Sequence, residues 1–397
     1  MVSLLVLVAT YRIIKQPFMY LVFYLTIIIL YLFLSRFGDN DKIRRTYIYI
    51  VSVLLCFCTA FRHLAVGNDT YAYYLHFKKI SKQDISTLID NIINSFGQVS
   101  TNFNKDPGYN VFVKIADTFC LGSFELYQLM IAVFFISAIG YLIYNYVNDF
   151  SGYIISYGFY ISLFYHYLPN SATRQTIAFA VFLWAVILWI DKGKKTLPIC
   201  MILVGSLMHK SVLIGFLPIV LMFRKEKDNF IKYAIIGFIV MFLFGGMITT
   251  YLADIANSSN YADYAASNYY ARNEGKPYGF IIQIFLLFFI GIYNIDKIEE
   301  HSPMEQFAII NFYLAVVFAP IILVDPSLIR LNAYFSLWGI VFIPNIILQY
   351  PEQTRMRQMV LLLVLCLVLG RPLLTGIRDD NYKFNWEKKE LHDRYRH

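Results

Sequence analysis

Residues 197–223 read LPICMILVGSLMHKSVLIGFLPIVLMF, with Lys192, Lys194 and Lys195 just before them and Arg224, Lys225 and Lys227 just after. A membrane-crossing helix takes about 20 largely apolar residues, and the lysines and arginines of short loops mark the cytoplasmic side. A run that is basic at both flanks enters and leaves on the same side. Its roughly 27 residues are too few for two full spans. The stretch is therefore expected to form a short re-entrant helical hairpin with His209-Lys210-Ser211 at its tip; one tilted helix with a lysine in its middle is the alternative. Non-helical backbone at that depth is tolerated only inside protein or beside water, so the tip is expected to line a wet cavity.

Outward from this stretch the same pattern repeats. The chain has 397 residues, is 58% hydrophobic and only 15% charged, against about 25% charged residues in soluble domains. Its mean hydropathy is +0.55. The deficit of charge runs along the whole length, which excludes a soluble domain on a single anchor. Further apolar runs lie near 17–35, 46–61, 126–146, 152–168, 172–190, 230–248, 277–295, 306–324, 331–349 and 357–370. The expected fold is an all-α polytopic membrane protein with about 10–12 transmembrane helices. It forms a single multi-pass domain over 1–397, with a large exoplasmic loop at 62–125 and a polar tail at 371–397. No internal repeat is visible.

The net charge of +8 does not point to nucleic acid, because the cations gather in short loops: Arg36, Lys42, Arg44 and Arg45 in one, Arg355 and Arg357 in another, and the two groups flanking the hairpin. Four of the five cysteines lie in apolar runs, where cysteine behaves as a small hydrophobe. No metal site is expected from them, and no cofactor. The aromatic residues, 35 Phe and 32 Tyr, suit an interfacial belt. The tyrosines of 249–276 also suit a glycan-binding lip.

Once the basic loops are placed in the cytoplasm, the charges that orientation leaves unexplained fall at the opposite face. Arg62 and Asp69 lie in RHLAVGNDTYAYY, Arg174 in PNSATRQTIAF, His209 and Lys210 at the hairpin tip, and Arg330 in DPSLIRLNAYF. Charges at the membrane edge are costly and mark functional sites. Each alone could snorkel to headgroups, but four cations and a histidine converging on one face describe a site for a multiply charged anion, for which arginine offers bidentate geometry. Asn170 and Arg174, Arg330 and Tyr334, and Asp69 and Tyr73 are each four apart, so each charge has a hydrogen-bonding neighbour on its helix face. Gly67-Asn68 is a turn signal, which gives Asp69 a second reading as the cap of a helix beginning near Thr70.

These stretches resemble a known family. RHLAVGNDTYAYY is similar to the arginine, Gly-x-Asp and tyrosine signature of the EpsG/Wzy-like polysaccharide polymerases. PNSATRQTIAFAVFLW resembles that family's N-x-x-R-Q helix start, SLMHKSVLIGFLPIVL its H-K-S segment (valine standing where alanine is common), RLNAYF its R-x-x-x-Y-F element, and NYKFNW its closing Y-x-F. The elements follow the family's order. The resemblance implies a bacterial cytoplasmic-membrane enzyme with its active site on the exoplasmic side. Such an enzyme moves a growing glycan from undecaprenyl diphosphate onto a lipid-linked repeat unit, as in O-antigen, capsule or exopolysaccharide synthesis. Its partners are the undecaprenyl-diphosphate-linked oligosaccharide and the bilayer, with a chain-length regulator as a further candidate.

On that reading Arg174 and Arg330 bind the diphosphate with help from Arg62 or Lys210. His209 or Asp69 acts as general base, and Tyr73, Asn170, Gln175 and Tyr334 contact the glycan; the chemistry is expected to need no metal. A lipid-linked oligosaccharide flippase, an O-antigen ligase and a structural membrane subunit are the alternatives. The first is disfavoured by the missing repeat and by charges gathered at one face. The last leaves the convergent charges unexplained.

Overall fold

The computed structural model describes residues 18–95, 106–194, 196–223, 230–257, 278–295, 302–348, 382–388 and 390–391. Among them every regular element is helical, and the only extended pairing is one isolated β-bridge between Arg62 and Phe384. The run 357–370, the tyrosines from 261 to 270, and Lys195, Arg224, Lys225, Lys227, Arg355 and Arg357 lie outside the described residues.

Five described helices are long and apolar enough to cross a membrane, or six when Ile329–Ser336 and Gly339–Leu348, bent by 44° at their junction, count as one broken span. The chain is an all-α polytopic membrane protein. Several expected runs are shorter or broken where the backbone cannot continue. The run near 152–168 is α-helical only over Phe150–Tyr160, then takes a single wider π-type turn at Ile161–Tyr165 and a short helix at Leu168–Ser171. The run near 306–324 is helical over Pro303–Val317 and resumes after Pro320, which has no N–H to continue the ladder. The stretch 197–223 forms two helical arms, Thr196–Met208 and Phe216–Met222, joined at His209 by a tight 3-10 segment, Lys210–Gly215.

The fold divides into two compact units. The first comprises Met1–Lys79, Asp117–Ala180 and Ile343–His397. Its helices here are α1 (Phe18–Leu34), α2 (Asp41–Ala60), α3 (Thr70–Ser81), α6 (Phe124–Tyr146), α7 (Phe150–Tyr160), α8 (Leu168–Ser171) and the start of α9 (Thr173–Lys192). Gly140 lets α2 and α6 close up: a Cβ there would meet Ile48 Cγ2 at 3.1 Å and Ser52 Oγ at 3.2 Å. Polar side chains inside the unit find partners across helices. The Tyr47 hydroxyl donates to the Ile27 carbonyl at 3.1 Å, Ser52 and Tyr157 share a hydrogen bond of 3.2 Å, and Asn345 Nδ2 donates to the Tyr146 carbonyl at 2.7 Å. The π-type turn ends on Tyr165, whose hydroxyl donates to the Leu55 carbonyl at 2.9 Å and accepts from Thr59 at 3.1 Å. At the basic end of α2, Arg44 and Asp39 pair at 2.5 and 2.7 Å, and this hydrogen bond holds the Asp39 carboxyl below its ordinary pKa.

The second unit comprises Ile80–Ala116 and Val181–Phe342. It holds α4 (Ile85–Ser95), α5 (Pro107–Phe119), the rest of α9, α10 (Thr196–Met208), α11 (Phe216–Met222), α12 (Phe230–Asn257), α13 (Tyr278–Ile295), α14 (Pro303–Val317), α15 (Ile321–Val324), α16 (Ile329–Ser336) and the beginning of α17 (Gly339–Leu348). Its core gathers on α14, which starts with a reciprocal Ser302–Glu305 capping box and buries Phe307 against Trp189 and Trp338. By contrast α12 exposes Ile235, Ile239, Phe242 and Met247, as a helix apolar on all sides does where it faces lipid. Residues 62–125, read from the sequence as one loop, carry helices of their own, α3 to α5.

Candidate functional site

In the first unit the residues singled out from sequence come together around Gly67. This glycine has φ +84°, and a Cβ there would stand 1.9 Å from the Asn170 carbonyl oxygen and 2.8 Å from Thr70 Oγ1. Only glycine adopts that backbone without strain, and only a residue without a side chain lets the two backbones approach so closely. The turn signal of Gly67-Asn68 is therefore also a packing requirement. The Thr70 hydroxyl fixes the junction, standing 2.6 Å from the Val66 carbonyl and 3.0 Å from the Asn170 carbonyl.

Arg62 follows α2 and is 3% exposed. One guanidinium nitrogen donates to the Thr59 carbonyl and another to Thr70 Oγ1 at 3.5 Å. It thus closes the last turn of α2, where orphan carbonyls invite a cation. The C-terminal tail adds to this knot. His63 N donates to the Lys383 carbonyl at 2.8 Å, Asn385 N donates to the Phe61 carbonyl at 2.9 Å, and the Tyr382 hydroxyl donates to the Cys58 carbonyl. Burial raises the Tyr382 pKa, so the hydroxyl stays a neutral donor.

Asp69 is half-buried and occupies the N-cap position of α3, its carbonyl accepting from Tyr73 N at 3.0 Å. The half-buried Arg174 guanidinium lies over the Tyr73 ring, 5.9 Å from its centroid. Gln175 is buried and accepts from the Tyr167 hydroxyl at 2.9 Å. Asn170 is fully buried, yet neither atom of its side-chain amide has a hydrogen-bond partner, and the same holds for the hydroxyl of buried Thr173. An unsatisfied buried polar group costs about 1–3 kcal/mol, so these two invite a polar ligand or water.

In the second unit, His209 caps the 3-10 segment. Its Nδ1 accepts from the Ser211 backbone N–H at 3.3 Å and lies 2.6 Å from Ser211 Oγ. Ser211 Oγ is in turn 3.1 Å from the hydroxyl of fully buried Tyr334. A backbone N–H can only donate, so Nδ1 is the acceptor and the neutral ring carries its proton on Nε2. Lys210 is exposed and Arg330, in the first turn of α16, is half-buried. The sequence-derived residues thus form two groups: Arg62, Asp69, Tyr73, Asn170, Arg174 and Gln175 in one unit, and His209, Lys210, Arg330 and Tyr334 in the other. Thr70, Thr173 and Ser211 were missed as contributors. Each lies inside a quoted motif, and for Thr173 and Ser211 a hydroxyl two or three residues from a motif amide or imidazole was the available signal.

The fold and site define an all-α polytopic membrane protein with arginines at helix ends and a capped histidine. The sequence model of the EpsG family matches residues 45–375, and the chain belongs to that family of Wzy-like polysaccharide polymerases. The curated proteins and the solved structures yield no match.

Proposed function

We propose that the protein polymerises a lipid-linked glycan at the outer leaflet of the bacterial cytoplasmic membrane. The hydroxyl at the non-reducing end of an incoming repeat unit attacks the anomeric carbon of the growing chain. The bond from that carbon to the diphosphate oxygen breaks, undecaprenyl diphosphate departs, and the hydroxyl proton passes to a base. The observation that carries this reading is the Arg174 guanidinium over the Tyr73 face, in the helix turn that also holds the unpartnered Thr173 hydroxyl and follows the unpartnered Asn170 amide. A cation, an aromatic face and open hydrogen-bonding groups are what a sugar joined to a phosphate requires.

In this mechanism Arg174 of the first unit binds the diphosphate and stabilises its charge as it leaves, and Arg330 and Lys210 of the second unit are proposed as further cations for phosphate oxygens. Arg62, engaged with the Thr59 carbonyl and Thr70, positions the segment bearing Asp69. The His209 ring, with N–H at Nε2, is suited to donate to a phosphate oxygen, and Asp69 is the carboxylate proposed to take an acceptor proton. Tyr73, Asn170 and Gln175 are the glycan contacts proposed in the first unit and Tyr334 the one in the second, and the step is proposed to need no metal.

The test is purified protein in detergent with a lipid-diphosphate-linked repeat unit and EDTA, its products resolved on a gel. The wild type is expected to give a ladder, and Arg174→Ala to reduce it by about 100-fold or more without loss of thermal stability. No ladder from folded wild type that still binds the lipid-linked unit would overturn the polymerase reading in favour of translocation. A ladder surviving Arg174→Ala would sink the site. Dependence on an added divalent ion would sink the metal-independent step.

A further inference from the structure

Helix α4 carries an apolar stripe that nothing in the proposed chemistry uses. Ile85, Ile89 and Ile93 recur every four residues along one face and are 45%, 44% and 63% exposed, whereas Leu88 is 1% exposed and packs into the protein. Ser86, Thr87 and Asp90 form a third sector and are exposed. At 100° per residue the helix thus has three environments in order around its axis: protein against Leu88, an open apolar strip of isoleucines, and a hydrated polar face. A helix wholly in water has no use for the middle sector, and a helix crossing a membrane has no room for the last.

We propose that α4 lies in the plane of the bilayer surface, with Ile85, Ile89 and Ile93 immersed at the boundary between phospholipid headgroups and acyl chains. Continuity with the membrane supports this occupant. The segment carrying α4 begins where the candidate span Asp41–Ala60 ends and returns at the candidate span Phe124–Tyr146, so both its ends leave the same bilayer face. Size argues against a protein partner, because three half-exposed isoleucines fall far short of the roughly 800 Å² per partner of a stable interface. An amphipathic helix with separate apolar and polar faces is the form that settles at this boundary. The inference is independent of the polymerase reading. It gives α4 a fixed depth rather than a free excursion into water.

The experiment uses full-length protein in phosphatidylcholine liposomes with tryptophan as the depth probe. Ile89→Trp places an indole on the stripe, and Thr87→Trp places one about 160° round the helix on the polar face. Emission above that of the parent protein is measured with brominated phosphatidylcholine and with aqueous iodide. The Ile89→Trp increment is expected to fall about twofold or more with brominated lipid and to resist iodide, with the reverse for Thr87→Trp, at a depth of about 5–10 Å. Should Ile89→Trp fail to fold, Ile93→Trp takes its place. Quenching of the stripe indole by iodide would show it in water. Protection from both quenchers would show a protein surface or a second copy of the chain over it. Either result overturns the proposal.

Discussion

The junction of Gly67 with Asn170 and the cap at His209 solve the same problem, holding polar groups in an apolar protein, by opposite means. Around Gly67 the backbone itself is the clamp: a glycine pressed on a carbonyl, a threonine hydroxyl between two carbonyls, and an arginine closing the end of α2. Around His209 the fixing is done by side chains in series, from Tyr334 through Ser211 to the imidazole. A backbone clamp fails as part of the fold, whereas a chain of hydroxyls fails one hydrogen bond at a time. Substitutions of the clamping groups themselves, Gly67 and Thr70, should therefore register in folding, and substitutions in the second region in rate.

The strongest way to break this contrast is Gly67→Ala. The added Cβ meets backbone and the φ of +84° is strained for alanine, so loss of folded, monodisperse protein in detergent is expected. Gly38→Ala has a similar φ with nothing within 4 Å and should cost only the strain of its backbone, about 1–3 kcal/mol. If both variants purify equally well, the clamp is not a clamp. Next in size, Asn170→Leu removes the unpartnered amide at nearly constant volume. Thermal stability is expected to hold or rise, by up to about 1–3 kcal/mol, while ladder formation is lost. Lowered stability with normal ladders would show that the amide serves the fold through bound water.

On the other side of the comparison, Ser211→Ala removes the hydroxyl and leaves the backbone N–H to hold Nδ1. A loss of about 1–1.5 kcal/mol corresponds to roughly tenfold in rate, at unchanged melting temperature. A larger loss that Ser211→Thr restores would mean that the hydroxyl, rather than the backbone, sets the ring. The smallest effect is expected at the pair of Asp39 and Arg44. Because the folded-state pKa of Asp39 is lowered, its contribution is complete above the ordinary carboxylate range near 3.9 and disappears as pH falls through the lower folded value. The pair is partly exposed, so Asp39→Asn should cost less than about 1 kcal/mol in urea titrations near neutrality. A cost of several kcal/mol would show a pair shielded from water.

Apolar length was the readable quantity. The helices Phe124–Tyr146 and Thr173–Lys192 begin and end within two residues of the runs near 126–146 and 172–190. Breaks were less legible, because summed hydropathy does not register a missing N–H at Pro320 or the widened turn before His166. The arginines were read for their charge, and charge alone does not say what satisfies it. Arg174 does rest beside the ring four residues beyond Asp69, but Arg62 is occupied by a carbonyl of its own helix, an acceptor that every helix end supplies. Gly67 and Ser211 stand in motifs that the sequence displays, yet their roles depend on groups from elsewhere in the fold, the Asn170 carbonyl in one case and the Tyr334 hydroxyl of α16 in the other.

The widened turn at Ile161–Tyr165 amounts to one residue too many for the helix that contains it. Deleting a single residue there would heal the helix, advance everything after it by about 1.5 Å and rotate it by roughly 100°. Tyr165 would then swing away from Leu55 and Thr59, and the Pro169-Asn170 corner would no longer meet Gly67. Length, at this point of the chain, is under the same constraint as residue identity, and an insertion or deletion of one amino acid should be tolerated less than almost any substitution.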